Sequence, residues 1–89
     1  MSDDMSKDAD LIQMGDEADV LLKDKTFNGV VNALVEETLQ QFVNSSPEED
    51  KKREHIYNKY RALVNVVHTL QQRVSVRDEI IANSDNNGE

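Results

Sequence analysis

The sequence is poor in the residue types that usually hold a small protein together. Its 89 residues include no cysteine, no tryptophan, one proline, two phenylalanines and two tyrosines. Without cysteine, neither a disulfide framework nor a thiolate zinc site can stabilise the chain. So few aromatic side chains predict a thin core for a domain of this length. Packing between helices is therefore expected to supply most of the stability.

Residue patterns that support catalysis or cofactor binding are also scarce. The three glycines are isolated, so the sequence contains no glycine-rich phosphate loop. His55 and His68 fall on different sides of one predicted helix and cannot share a metal ion there. No grouping of serine, histidine and an acid stands out. The sequence therefore predicts that the protein is not an enzyme and binds no cofactor or metal.

Charge is distributed unevenly along the chain. Of the net charge of -8, residues 1–24 carry -6, from eight acidic residues against two lysines. Residues 48–83 contain six acidic and seven basic residues and are close to neutral. Direct nucleic-acid binding needs a clustered positive field and is not expected. The sequence has neither a secretion-signal pattern nor the roughly 20 apolar residues of a membrane span, so a cytoplasmic location away from membranes is expected.

The strongest pattern is an apolar repeat toward the carboxyl end. Positions spaced alternately by four and three residues are occupied by Ile56, Tyr60, Leu63, Val67, Leu70, Val74, Arg77 and Ile81. Only Arg77 interrupts this apolar seam, and the spacing predicts one long helix. Arg77 permits two interpretations. Its stem can cover the apolar face while its head reaches Asp78, Glu79 or an acid of a partner, or it can fix the register of an oligomer.

The expected fold class is all-α. Apolar spacing predicts one helical domain over residues 9–83, with helices at about residues 9–23, 27–43 and 47–83. Short, polar segments at residues 1–8 and 84–89 are expected to be unstructured tails because they have little apolar surface to bury.

The boundary between the second and third helices has the clearest local signal. Ser46, Pro47 and Glu49 form a capping-box sequence, which predicts that the third helix begins at Pro47. The short connection before it predicts an antiparallel helical hairpin with a long C-terminal helix and a shorter N-terminal helix. The first helix and a second chain are both expected to cover the rest of the seam. The second chain is expected to make the larger contact, through coiled-coil-like oligomerisation.

Three sets of candidate interaction residues follow from this arrangement. The expected self-association interface consists of Leu63, Val67, Leu70, Val74, Arg77 and Ile81. The expected hairpin core consists of Phe27, Val31, Leu34, Phe42, Ile56 and Tyr60. A candidate acidic arm for partner binding consists of Asp8, Asp10, Asp16, Glu17 and Asp19.

A resemblance adds a biological setting. The residues that carry it are Leu22, Asp24, Phe27, the helix from Glu36 to Phe42, Ser46-Pro47, Arg53-Glu54, Tyr57 and the final leucine and valine helix. Over residues 22–81 the chain resembles small helical-hairpin proteins of tailed phages, encoded near virion structural genes. The resemblance implies a role in virion assembly or as a structural accessory, in the host cytoplasm or the virion. It assigns no functional residue.

Two functions from different classes are consistent with these patterns. The first is a non-catalytic assembly or structural protein that associates with itself and with a larger protein, such as a capsid or portal component. The second is an acidic inhibitor or adaptor that places its N-terminal arm in a basic groove of a host or viral enzyme. The long unpaired seam favours the first function, and the charge asymmetry favours the second. The first is preferred, because the acidic residues are concentrated in one segment, whereas a DNA mimic usually spreads its carboxylates over a whole face.

Overall fold

The computed structural model describes the backbone of residues 2–87 and the side-chain surroundings of residues 7–84. Three α-helices follow one another, namely α1 (Ser2–Lys23), α2 (Lys25–Asn44) and α3 (Asp50–Asn87). They cover nearly all of the described residues 2–87, which contain no β-strand. The expected all-α fold class is therefore confirmed.

Helices α1 and α3 extend further toward the ends of the chain than predicted. Helix α1 begins at Ser2 rather than at residue 9, and α3 continues to Asn87 rather than ending at residue 83. Residues 2–8 and 84–87 are therefore helical, and the prediction of unstructured tails is wrong for them. Extending an existing helix costs far less than starting one, so polar residues can continue it without burying apolar surface. The outermost tail residues, 1 and 88–89, lie outside the described residues.

Helix α2 starts immediately after α1 because Asp24 interrupts the helical backbone and caps the next helix. Asp24 has extended φ and ψ angles of -74° and 122°, and its carboxylate accepts a hydrogen bond of 2.7 Å from the backbone N–H of Phe27. This is the geometry of an N-cap residue. The predicted break near residues 24–26 is thus confined to one residue, and α2 gains Lys25 and Thr26.

Helix α3 begins three residues later than predicted, at Asp50. Part of the capping box forms, because the Ser46 backbone N–H donates to Glu49 Oε1 at 2.7 Å. The Ser46 hydroxyl, however, donates to the Glu48 carboxylate, and the Glu49 N–H bonds to the Ser46 carbonyl at 2.9 Å in a turn. The first helical bond at this end runs from the Arg53 N–H to the Glu49 carbonyl. Pro47 therefore lies in the turn, and the predicted start there is wrong.

The chain divides into two compact units, and α3 contributes to both. We call the first the α1–α3 unit, which contains α1 and residues 68–87 of α3. The second, the α2–α3 unit, is Asp24–Val67 and contains α2 and the first half of α3.

The α1–α3 unit is held together by a close approach of its two helices at Gly15. A Cβ atom added to Gly15 would lie 2.7 Å from the Arg73 carbonyl oxygen and closer still to the Arg77 Cβ. Ala18, one turn further along α1, is only 2% exposed. The absence of a side chain at Gly15 lets the backbone of α3 come within contact distance. In an isolated helix a glycine only lowers stability through its poor helix propensity, whereas the structure gives Gly15 a packing role.

The α2–α3 unit has a narrow line of buried contacts. Ile56 is 4% exposed, and Thr38 is buried with its hydroxyl donating to the Val35 carbonyl at 2.7 Å within α2. Near the other end of α2, the Arg53 guanidinium carbon lies 4.2 Å from the centre of the Phe42 ring, as expected for a cation–π contact. The buried Thr38 hydroxyl thus has its hydrogen-bond partner within α2.

Candidate interaction surface

An open apolar groove lies along one side of the α2–α3 contact. We call it the Leu34 groove; its volume is about 320 Å³, and its lining residues are Leu34, Glu37, Thr38, Gln41, Lys59, Ala62, Leu63 and Val66. Leu34 is 41% exposed and Val66 is half exposed. Two of these lining residues, Glu37 on α2 and Lys59 on α3, are charged and exposed. Neither forms an ion pair within the part of the chain that the structure describes.

A second groove also contains residues of both helices. This Tyr57 groove has a volume of about 300 Å³ and is lined by Thr38, Leu39, Phe42, Ile56, Tyr57 and Tyr60. Leu39 is 53% exposed and Tyr57 is 55% exposed. Thr38 lines both grooves, so the two grooves adjoin the same buried residue of α2. Tyrosine provides a large apolar ring and a hydroxyl, a combination that is common at protein interfaces.

The two grooves belong to a unit that leaves much of its apolar surface accessible. Among residues 7–84, Ala18 and Ile56 are the buried hydrophobic side chains, and only Ile56 is in the α2–α3 unit. The large hydrophobic residues of this unit that remain exposed are Val30, Leu34, Leu39, Phe42, Val43, Tyr57 and Val66. Clustered exposure of this kind is typical of protein interaction sites.

The residues expected to form the hairpin core have different surroundings. Ile56 is buried as expected, and Phe27, Val31 and Tyr60 are half-buried. Leu34 and Phe42 are exposed and line the grooves, so they are not core residues within this chain. A two-helix contact buries only a narrow stripe on each helix, and α2 carries an apolar face that is wider than this stripe.

The residues expected to mediate self-association are divided between the two units. Leu63 lines the Leu34 groove, and Val67 is the last residue of the α2–α3 unit. Leu70 and Val74 are half-buried, whereas Ile81 is exposed. Arg77 contacts α1 of its own chain, with a side chain that is 17% exposed. Self-association through the whole set stays a prediction.

Arg77 connects α1 and α3 through ion pairs. Its Nη1 lies 3.0 Å from Asp16 Oδ1 and 3.3 Å from Asp19 Oδ2, and its Nη2 lies 2.9 Å from Asp78 Oδ1. Hydrogen bonding to Asp78, followed by that to Asp16, raises the pKa of the Arg77 guanidinium. Of the partners that the sequence offered for Arg77, Asp78 forms the contact, and α1 supplies Asp16 and Asp19, which the sequence did not assign to Arg77.

The candidate acidic arm is part of helix α1. Asp8 and Asp10 are exposed, and Glu17 accepts a hydrogen bond of 3.4 Å from Gln13. Asp19 pairs with Lys23 at 3.2 Å as well as with Arg77. The hydrogen bond from Lys23 lowers the pKa of Asp19, and the hydrogen bond from Arg77 lowers it further. Two members of the arm, Asp16 and Asp19, are thus already paired within the chain.

The turn before α3 also holds two carboxylates in their ionised form. The Ser46 hydroxyl lowers the pKa of Glu48, and the Ser46 backbone N–H lowers the pKa of Glu49. Glu49 additionally pairs at 3.6 Å with Lys52, three residues further along the chain, as is common for neighbouring charges at helical spacing. These carboxylates have local structural partners at the start of α3.

Six residues of the Leu34 groove were missing from the sequence-based candidate sites. They are Glu37, Thr38, Gln41, Lys59, Ala62 and Val66. Gln41 lies seven residues after Leu34, and Lys59 and Ala62 lie seven and four residues before Val66, so each pair falls on one helical face. That spacing was available in the sequence, but it did not indicate which side of the apolar seam remains uncovered.

Known proteins provide no further assignment. No known protein family, characterised protein or solved structure was found to match the chain. Within the described residues, no helix is long and apolar enough to cross a membrane. The same part of the chain contains no group of three or more histidine or acidic residues placed to hold a metal ion.

Proposed function

We propose that this protein is a non-catalytic helical interaction module that binds other proteins through the α2–α3 unit. The observation that carries the proposal is the pair of open apolar grooves on that unit. Burying apolar surface contributes about 25 cal/mol per Å², so partly exposed leucine, valine and tyrosine side chains can supply binding energy. A helix with apolar residues at helical spacing is the kind of element that fits such grooves.

The proposal includes an antiparallel hairpin as the binding element. It is supported by the order of the contacts, because Phe42, late in α2, contacts Arg53, early in α3. Leu34, earlier in α2, lines a groove with Val66, later in α3. Paired helices of this type present two parallel ridges with a groove between them.

Within this general function, virion assembly or a structural accessory role is our preferred biological setting. The resemblance to tailed-phage hairpin proteins supports that setting, and the apolar grooves supply surfaces for assembly. The proposed partners are a second copy of the chain and a larger protein, such as a capsid or portal component.

The alternative is an acidic inhibitor or adaptor. Residues 24–67 contain seven acidic and six basic residues, which leaves -7 of the total charge of -8 outside the α2–α3 unit. Such a concentration of charge favours binding to a basic surface. Against this alternative, Asp16 and Asp19 of the acidic arm bond to Arg77 of the same chain.

Site-specific photocrosslinking in the native host tests these proposals. A photoreactive residue is placed at Leu34 or Leu39 in the grooves, at Asp10 on the acidic arm, and at exposed Asn65 as the control. We expect the groove positions, but not position 65, to form adducts with specific proteins. A virion structural protein in those adducts would support assembly. An enzyme captured only at position 10 would favour the inhibitor, and no adduct above the control would contradict the interaction module.

A further inference from the structure

We infer that the Leu34 groove is occupied by a second copy of this chain, in a two-fold symmetric contact between two α2–α3 units. The inference rests on the proposed function and names the partner for one of its two grooves. In a two-fold contact, the same patch is used on both copies, so the patch must be complementary to itself. Three properties of the Leu34 groove bear on that requirement. They are the charges of its lining residues, its exposed apolar surface and the net charge of the α2–α3 unit.

The charged residues of the groove have opposite signs and come from different helices. Glu37 is on α2 and Lys59 is on α3, in a lining that includes Leu34, Leu63 and Val66. A two-fold axis through this lining can bring Glu37 of each copy toward Lys59 of the other, giving two equivalent ion pairs. Both side chains lack an ion-pair partner among the described residues, so each remains available.

The groove offers exposed apolar surface of its own. Leu34 is 41% exposed and Val66 is half exposed, and both line the groove. A two-fold contact would cover these side chains on both copies at once. Burying apolar surface contributes about 25 cal/mol per Å², so this exposed surface favours association.

Net charge also favours a contact between α2–α3 units. Two copies that meet there bring together segments of net charge -1 each, whereas the other -7 of each chain lies outside residues 24–67. Contact through the acidic residues of α1 would place like charges together, which opposes association most strongly at low salt.

The Tyr57 groove does not have the same self-complementary pattern. Its lining consists of apolar residues, Thr38 and two tyrosines, without an acid and a base to pair with a second copy. This difference supplies a matched control, because Leu34 and Leu39 are both half-exposed leucines of α2 that line different grooves.

Sedimentation velocity of the full chain over a range of concentrations tests the inference. We expect a dimer whose dissociation constant rises roughly 100-fold or more in Leu34→Asp, because two leucines at the interface are lost per dimer. The dissociation constant of Leu39→Asp is expected to stay within about threefold of the parent. Circular dichroism checks that both variants keep their helices. Equal weakening by both substitutions, or none by Leu34→Asp, would overturn the assignment of this groove.

A charge-exchange experiment tests the two-fold arrangement without changing the apolar lining. Glu37→Lys and Lys59→Glu are each expected to weaken the dimer by roughly threefold to thirtyfold at low salt, since each places two like-charged contacts in the interface. Mixing the two variants restores opposite charges at both contacts, so they should form a heterodimer with parental affinity. Failure of the mixture to associate more tightly than either variant alone would contradict the proposed pairing.

The outcomes also separate this inference from the proposed function. A parent chain that stays monomeric while position 34 crosslinks to another protein would overturn self-association but retain the interaction module. A monomer without groove crosslinks would contradict both. A trimer or a concentration-dependent series of larger species would overturn the two-fold contact.

Discussion

The α1–α3 and α2–α3 units solve the same packing problem in different ways. In the first, Gly15 lets two helices approach closely, and Arg77 of α3 pairs with Asp16 and Asp19 of α1. In the second, Ile56 is buried, but most of the surrounding apolar side chains stay accessible in two grooves. The first unit pairs its polar seam residue internally. Among the described residues, the second unit has seven exposed large hydrophobic side chains and the first has four.

This contrast explains why a very thin core can be informative about function. Apolar surface that a two-helix contact does not cover remains available for association. The free energy of burying that surface then stabilises a complex instead of the folded chain. Charge follows the same division, with only -1 of the net charge within residues 24–67. The α2–α3 unit is therefore the better candidate for contact with another protein.

Among the tests of this difference between the two units, Ile56→Ala is expected to have the largest effect. Because Ile56 is the buried large side chain of the α2–α3 unit, its truncation should lower the free energy of unfolding by about 2–4 kcal/mol. Ile81→Ala, at an exposed position, should cost less than about 1 kcal/mol. Urea unfolding monitored by circular dichroism at one protein concentration measures both. Similar costs for the two substitutions would show that Ile56 does not have a special structural role.

The second test adds the same methyl group at two helical glycines. Gly15→Ala should lower the free energy of unfolding by about 1–2 kcal/mol, because the added methyl group meets the Arg73 carbonyl and Arg77 Cβ. Gly29→Ala should raise it by about 0.5–1 kcal/mol, because no described atom beyond its own helical surroundings lies within 4 Å of the new methyl group. Thermal unfolding of both variants provides the comparison. Stabilisation by Gly15→Ala would refute the close approach of α1 and α3.

The smallest expected effect is a change in pH dependence. The pKa of Asp19 is lowered by Lys23 and Arg77, so its carboxylate stabilises the folded state above its ordinary pKa of 3.8. That contribution is lost as the pH falls through the lower, folded-state pKa. Asp19→Asn should therefore have a lower Tm than the parent at pH 6, and the difference should shrink toward pH 2.

Asp10→Asn is the control for that titration, because Asp10 is exposed and forms no hydrogen bond with the described residues. It removes the same charge without removing the contacts of Asp19. Thermal scans between pH 2 and 7 should show a smaller pH-dependent difference for Asp10→Asn. Superimposable profiles for the two variants would mean that the Asp19 ion pairs contribute nothing specific to the fold.

The sequence predicted the helices better than their contacts. The four-three spacing from Ile56 to Ile81 predicted most of α3, since apolar periodicity reflects a property of one helix. It did not predict the packing role of Gly15, because glycine in an isolated helix carries only a propensity cost and the distance to a neighbouring helix is a tertiary property. The start of α3 was also missed, because Ser46 bonds to Glu48 instead of completing the capping box.

The candidate site could be predicted only in part for the same reason. The wide apolar face of α2 indicated that Leu34 and Phe42 have apolar neighbours, but not that these residues border open grooves. Glu37 and Lys59 are separated by 22 residues in sequence and line one groove only once α2 and α3 pack together. Pairing between charges on different copies requires both that juxtaposition and a symmetry axis, neither of which has a local sequence signal.

The placement of the aromatic residues makes one unit separately visible to spectroscopy. Phe27, Phe42, Tyr57 and Tyr60 all lie within residues 24–67, and the chain has no tryptophan. Tyrosine fluorescence and near-ultraviolet circular dichroism therefore report on the α2–α3 unit, whereas the far-ultraviolet signal reports on all three helices. If the two signals change at different urea concentrations, the units unfold separately, and if they coincide, the continuous α3 makes the molecule one cooperative structure.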